Sequence, residues 1–295
     1  MLALKTVLRV VLLLLVIVSC EKTESNIQND SLVFEYNQIE ELKLASNSYY
    51  INPKTQLSYT GWGVYEDIIF PGSSIYWKME HQSIDNKNSL AVGISGGDAY
   101  NNVFFTNTVA LAWKEVAWPY RNVSKLIYQL DFYLPNAFDC NSPNNAILEG
   151  IEFTFQHLLI PYSYGFGLQY AKSGEWRFWN DEKNPETNKP FAWQSFSPKI
   201  ITCLASNQWH TIQIIGFVKN HKVYYEKMIL DNTTYNLSSA VINPVPSPQG
   251  WVENFLQVGV QLNGNKSIQY PNSNQVDPIE IYIDKVSLKG YATNQ

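Results

Sequence analysis

The chain reads as an all-β protein, and two observations predict it. Short apolar-alternating segments recur along most of its length, each bounded by Gly, Pro, Asn, Asp or Ser, and no long stretch after residue 45 carries helical periodicity. Composition agrees: aromatics make up 14%, with 9 Trp and 19 Tyr, while charged residues are only 16%, against roughly 25% in an ordinary globular chain. Strand-length segments at this spacing predict a sandwich or barrel. At 295 residues the chain can form one large β domain, placed here over 31–295 because no linker within it is convincing. A net charge of −5 and the lack of a visible basic face argue against a nucleic-acid partner.

The chain opens with Lys5 and Arg9 before an unbroken apolar run, Val10 to Val18. That run is short for a bilayer span but suits a signal-peptide core. It ends Val16-Ile-Val-Ser19-Cys20, which resembles the bacterial lipobox, where a small residue precedes a cysteine that is lipidated and becomes the mature N-terminus. The resemblance implies a lipoprotein signal peptide over 1–19, a polar tether over 20–30 and a lipid on Cys20 that supplies membrane attachment. The expected location is the bacterial cell envelope, outside the cytoplasm. Cys140 and Cys203 then remain, either as a disulfide, which an oxidising compartment permits, or as two buried thiols.

Residues 31–44 mix apolar and acidic positions and suit a short helix or an entering strand. Strand-like segments follow at Ser74–Met79, Ser89–Ile94 and Val103–Thr106, separated by turns such as Phe70-Pro-Gly-Ser and Ser95-Gly-Gly-Asp98. In Lys125–Leu134 the residues Leu126, Tyr128, Leu130, Phe132 and Leu134 share one face at period two, with Ile127 and Tyr133 on the other. Leu148–Phe155 and Ser163–Tyr170 come next, then the aromatic stretch Trp176-Arg-Phe-Trp179, a polar loop and Phe191-Ala-Trp193. The segment from Trp209 leads into Ile212, Ile214 and Phe217, all expected to face the core, as are Trp209 and Phe178. Lys222–Leu230, Phe255–Leu262 and Pro278–Leu288 complete the set.

The ordered residues Trp176…Trp179-Asn-Asp181, Cys203…Trp209-His210, Val223-Tyr-Tyr with Leu230-Asp-Asn, Gln257-Val-Gly-Val-Gln261 and Tyr282-Ile-Asp-Lys-Val-Ser-Leu288 carry a resemblance. Over about Ser89 to Leu288 they resemble a group of bacterial secreted proteins and lipoproteins similar to the concanavalin A-like lectin/glucanase superfamily. The resemblance implies a jelly-roll β-sandwich of two antiparallel sheets. It also implies a hairpin turn at Asp231-Asn232, where Asn tolerates positive φ.

Retaining glucanases of that superfamily carry two carboxylates on one face of a strand, one as nucleophile and one as acid. Glu149 and Glu152 are the nearest pair here, but a spacing of three places them on opposite faces unless a bulge intervenes at Gly150, and the superfamily's Glu-x-Asp-x-x-Glu pattern is missing. No catalytic set is therefore assigned. None of His81, His157, His210 and His221 has a metal-spaced partner, so His210 is read as structural and no metal site or cofactor is expected. A structural calcium would fall to Asp98, Asp277, Glu280 or Asp284, although no ligand loop is recognisable there.

Sugar rings stack their C–H faces on exposed aromatics while amides bond their hydroxyls. Tyr162, Tyr164, Trp176, Trp179 and Trp193, in or beside Asn- and Ser-rich loops, are the ligand-binding candidates. The leading expectation is a non-catalytic, carbohydrate-binding lipoprotein with a polysaccharide partner. The alternatives are a glycoside hydrolase or polysaccharide lyase, and a structural or adhesion lipoprotein.

Overall fold

Alternation along Lys125–Leu134 sets the plan of the molecule, because Leu126, Tyr128, Leu130, Phe132 and Leu134 are all buried while Ile127 and Tyr133 on the opposite face are half-buried. A strand with one wholly apolar face must lie against a second layer. The computed structural model describes residues 31–37, 62–68, 75–84, 87–96, 102–112, 123–135, 148–183, 190–247, 254–264 and 278–292. The signal segment, the tether, Cys20, Cys140, Asp98 and Asp277 lie outside the described residues.

Among the described residues the strands are β1 Ser31–Asn37, β2 Trp62–Ile68, β3 Ile75–Ile84, β4 Lys87–Gly96, β5 Asn102–Ala112 and β6 Lys125–Leu134. β7 Leu148–Leu159, β8 Tyr162–Ala171, β9 Glu175–Lys183, β10 Pro190–Ile201, β11 Gln208–Lys219 and β12 Lys222–Leu230 follow. The short β13 Thr233–Asn236, β14 Val241–Ile242 and β15 Val245–Pro246 precede the long β16 Asn254–Gly264 and β17 Ile279–Ala292.

They form two sheets. The first is nine-stranded, in the order β13-β12-β11-β6-β17-β4-β3, with β1 on β17 and β14 on β12. The second is eight-stranded, in the order β10-β9-β8-β7-β16-β5-β2, with β15 on β8. The pairings are antiparallel, and the chain crosses from one sheet to the other repeatedly: β5 to β6, β6 to β7, β10 to β11, β16 to β17. This is the wrapping of a jelly-roll sandwich. The N-terminal segment enters as a strand, since 31–37 pairs with the end of β17.

The two sheets meet through aromatic rings. Phe132 of the first lies 4.9 Å from Phe153 of the second, and Tyr128 lies 5.7 Å from Phe155. Polar pins cross the same gap: the Gly167 amide donates to the Tyr225 hydroxyl at 2.8 Å, and the Tyr128 hydroxyl donates to the Gly259 carbonyl at 3.3 Å. Each satisfies a buried polar group that would otherwise cost about 1–3 kcal/mol.

The core face of β11 differs from the expectation at two places. Ile212 and Ile214 face inward, but Phe217, three residues on, cannot share their side of a strand, and its ring stacks on Tyr224 at 4.9 Å on the outer face of the first sheet. Trp209 is likewise half-buried on that outer face, edge-on to Tyr133 at 5.7 Å, because the inward position belongs to its neighbour His210. His210 is structural: its Nδ1 lies 2.6 Å from Asp231 Oδ2 and its Nε2 lies 2.8 Å from the Ala205 carbonyl. Asp231 also accepts the Thr211 amide at 2.9 Å, and it and Asn232 turn the chain at φ 46° and 69°. Phe178 is buried, and Cys203 is disulfide-bonded.

Candidate functional site

In each of β7, β8, β9 and β16, one parity supplies the core and the other faces away from it. β8 runs Gly165-Phe-Gly-Leu-Gln169 and β16 runs Gln257-Val-Gly-Val-Gln261, so Phe166, Leu168, Val258 and Val260 fill the core. Glycine and glutamine are left on the outer face. Register then assembles that face into rows across the sheet. Ser195 of β10 pairs with Arg177 of β9, Arg177 with Gln169, Gln169 with Glu152, Glu152 with Gln261, and Gln261 with Phe104 of β5. One continuous row thus carries a hydroxyl, a guanidinium, an amide, a carboxylate, a second amide and an aromatic ring. With strands about 4.8 Å apart, its length from β10 to β5 is about 24 Å.

The row is hydrogen-bonded within itself. Gln169 Nε2 donates to Glu152 Oε1 at 3.2 Å, Asn263 Nδ2 donates to the same oxygen, and Gln261 Nε2 donates to Asn263 Oδ1 at 3.0 Å. At the β9–β10 end, Arg177 reaches Glu175 Oε2 through Nε and Nη2, both at 3.4 Å, while Ser195 donates to Glu175 Oε1 at 2.6 Å and Lys199 Nζ lies 3.3 Å from that oxygen. Burial pushes the Glu175 carboxyl up, but the bonds from Ser195 and Lys199 and the charges of Arg177 and Lys199 outweigh it and hold the group below the usual carboxylate range.

Aromatic rings lie over the glycines beside this row. Trp193 and Trp179 are direct cross-strand partners, half-buried, with ring centroids 5.1 Å apart at 64°. A Cβ on Gly167 would stand 3.6 Å from Trp193 Cη2 and 3.2 Å from Trp179 Cβ. On β16, a Cβ on Gly259 would come within 2.3 Å of the Phe104 ring. The missing side chain of Gly259 is what lets the Phe104 ring lie down on the sheet, while the Trp193 ring passes Gly167 at ordinary van der Waals distance.

The candidates named from sequence therefore separate. Trp179 and Trp193 stand together on the outer face. Trp176, one residue from Arg177, takes the opposite parity and is fully buried: its Nε1 donates to Thr202 Oγ1 at 2.9 Å and its ring lies 5.1 Å from Tyr170, so it is core and not a ligand contact. Tyr164 faces inward on β8 and is 4% exposed, with its hydroxyl 3.2 Å from His221 Nδ1; it too is corrected to a structural position. Tyr162 is exposed, but it belongs to the hairpin end with Tyr164 and His221, far along β8 from Gly167. Of the two glutamates, Glu152 joins the row. A bulge does occur beside Gly150, where Asn263 pairs with Gly150 and Gly264 with Leu148, but the skipped Glu149 is engaged by Lys172 Nζ at 2.6 Å.

Arg177, Gln169, Gln261, Asn263, Ser195 and Phe104 were not singled out from sequence. Parity was the available signal, since the Gly and Gln of β8 and β16 alternate with unambiguous core residues. Among the described residues no group of three or more His, Cys, Asp or Glu could hold a metal ion. Asp284 instead accepts the Lys285 amide at 2.8 Å, and the Tyr282 hydroxyl is pushed up to about 12 by burial and by its hydrogen bond to Glu280.

The sequence matches no protein-family model and no curated protein. Among solved structures it is similar to a sialidase, with 9% identity and a TM-score of 0.39 over 78% of this chain but only 17% of that one. An alginate lyase from Chlorella virus is similar over 78% of this chain and 93% of its own, at 13% identity and a TM-score of 0.44. The Bacillus licheniformis β-glucanase is similar over 85% of this chain and 100% of its own, at 10% identity and a TM-score of 0.38.

Proposed function

We propose that this chain binds a glycan across the outer face of its second sheet. The observation that carries the reading is the paired Trp179 and Trp193 lying beside the Ser195–Arg177–Gln169–Glu152–Gln261 row. Half-buried indoles offer faces to the C–H side of sugar rings, and Arg177 and Ser195 supply donors for hydroxyls beside them, braced by the buried Gln169, Glu152 and Gln261. Because it extends across the sheet, it suits several sugar units of a polysaccharide better than a single monosaccharide.

Binding without catalysis is the form of this function we favour. Retaining hydrolysis needs two carboxylates about 5–5.5 Å apart that face one bond. Here Glu149 is held by Lys172, while Glu152 serves as acceptor for Gln169 and Asn263. The N-terminal Lys5–Arg9 and apolar run before Ser19-Cys20 supports attachment to a bacterial envelope through a lipid on Cys20.

Isothermal titration of the full-length chain with cellohexaose and with a mannuronate hexamer tests the glycan reading. Binding that falls at least tenfold in Trp193→Ala supports it, and silence with both of these and with a sulfated κ-carrageenan oligomer refutes it in favour of a structural lipoprotein. Release of reducing or unsaturated ends that Glu152→Gln abolishes would establish an enzyme instead. Labelled palmitate should enter the protein in cells and be lost in Cys20→Ser.

A further inference from the structure

The edge strand β10 leaves its register next to the row. Ser195 pairs with Arg177, but the next residue of β9, Trp176, pairs with Ile200, so residues 196–199 have no counterpart. A bulge of this kind re-aims side chains. Phe196 turns inward, 2% exposed and 5.0 Å from Phe178, which anchors the excursion in the core. Lys199 comes back over Glu175 while remaining 62% exposed. The backbone between them forms one wall of a groove of about 480 Å³, whose opposite wall is β13 and the turn after it, including Thr234, Tyr235, Asn236 and Ser239. The walls are tied where the Ser197 amide donates to Ser239 Oγ at 3.2 Å.

The chemistry of this groove is one-sided. None of the described residues lining it is Asp or Glu, whereas Lys199, an amide and several hydroxyls do line it, along with Tyr235, whose ring packs on the core, and the apolar Pro198 and Ile201. Glu175 already has Ser195 on one oxygen and Arg177 on the other, so Lys199 is a second cation on an acceptor that is otherwise engaged. The local balance of Glu175, Arg177 and Lys199 is one positive charge. Lysine holds a compact charge with three donors on a mobile stem, so it can turn from Glu175 into the groove without any change in the backbone. A volume of this size lies within the range of small-ligand pockets.

We propose that the groove between β10 and β13 is a subsite for one acidic unit of the glycan, whose carboxylate or sulfate is taken by Lys199. This rests on the glycan reading above and deepens it: the chain crosses the row on the outer face and places an anionic unit over the β10 edge. The groove hydroxyls of Thr234, Ser238 and Ser239 bond the unit's own hydroxyls, beside the apolar Pro198 and Ile201.

The test titrates the full-length chain, wild type and Lys199→Met, with three hexasaccharides of one length: cellohexaose as neutral probe, oligomannuronate as carboxylate and a κ-carrageenan oligomer as sulfate. The wild type should bind at least one acidic probe about tenfold tighter than the neutral one, a preference that shrinks as salt rises from 0.05 to 0.5 M. Whichever acidic probe keeps the preference identifies the anion. In Lys199→Met the acidic-to-neutral ratio should fall to near one, and Lys199→Arg should restore most of it. A ratio unchanged in Lys199→Met, or a neutral probe that binds as tightly as both acidic ones, overturns the subsite and leaves the glycan reading standing. Failure of all three probes overturns the glycan reading itself.

Discussion

His157 should set how the fold responds to acid. It faces the core from β7 at 1% exposure, and among the described residues neither ring nitrogen has a hydrogen-bond partner. Burial lowers its pKa from 6.5 to about 4. Its register neighbours are Tyr164 on β8 and Leu256 on β16, neither of which brings an anion to an imidazolium. The sign follows from proton binding: between pH 6.5 and about 4 the unfolded chain takes up a proton at this position and the native chain does not. Stability from the neutral ring is therefore complete above pH 6.5, falls as the pH drops and is gone below about pH 4. A separation of that size corresponds to about 3 kcal/mol, a large part of the stability of an ordinary domain. Urea unfolding of wild type and His157→Leu at pH 7 and pH 4 measures it, because contributions from the carboxylates cancel in the difference between the proteins. The wild type should lose about 3 kcal/mol more than the variant over that interval. Equal losses in the two proteins would refute the reasoning.

Other substitutions separate the core from the candidate site. Trp176→Ala should cost about 3–5 kcal/mol in chemical denaturation, because a fully buried ring is removed from between the sheets. Trp193→Ala, half-buried on the outer face, should cost about 1 kcal/mol or less while glycan binding measured by titration is lost. Gly259→Ala drives a methyl into the Phe104 ring, so the ring must lift; stability should change by about 1 kcal/mol, and fluorescence-monitored glycan titration should show weaker binding. Asp231→Ala removes the acceptor for the Thr211 amide and the partner of His210 Nδ1 at a turn residue with positive φ, and should cost about 2 kcal/mol by thermal unfolding.

Much of the architecture could be read along the chain because strand structure is written in local alternation. Leu126 to Leu134 declares its core face without any partner, since five apolar residues at period two leave no other side to bury. Asp231-Asn232 is legible as a turn for an equally local reason, the tolerance of these side chains for positive φ. Alternation defines two faces of a strand but does not say which is inside when both carry large rings. In Trp176-Arg-Phe-Trp179 the core position expected for Phe178 already implies that Trp176 is inside and Trp179 outside with Arg177, yet both tryptophans stand among the ligand candidates; the docking of Trp176 against Tyr170 and Phe153 separates them. Trp209 shows the same ambiguity resolved the other way, with His210 taking the interior. The site itself lay further out of reach. Glu152, Gln169, Arg177, Ser195 and Gln261 come from five strands, and they form a row because antiparallel register aligns them, a relation between distant segments that no local pattern encodes. The sequence by itself determined an all-β chain, most of its longer strands and several of its turns, but not β2, whose start at Trp62 reads as a turn. Which aromatic rings stay on the outer face, and that a lysine on a bulged edge stands at the end of the row beside them, were decided only when the two sheets packed, since burial chooses between the faces that alternation defines.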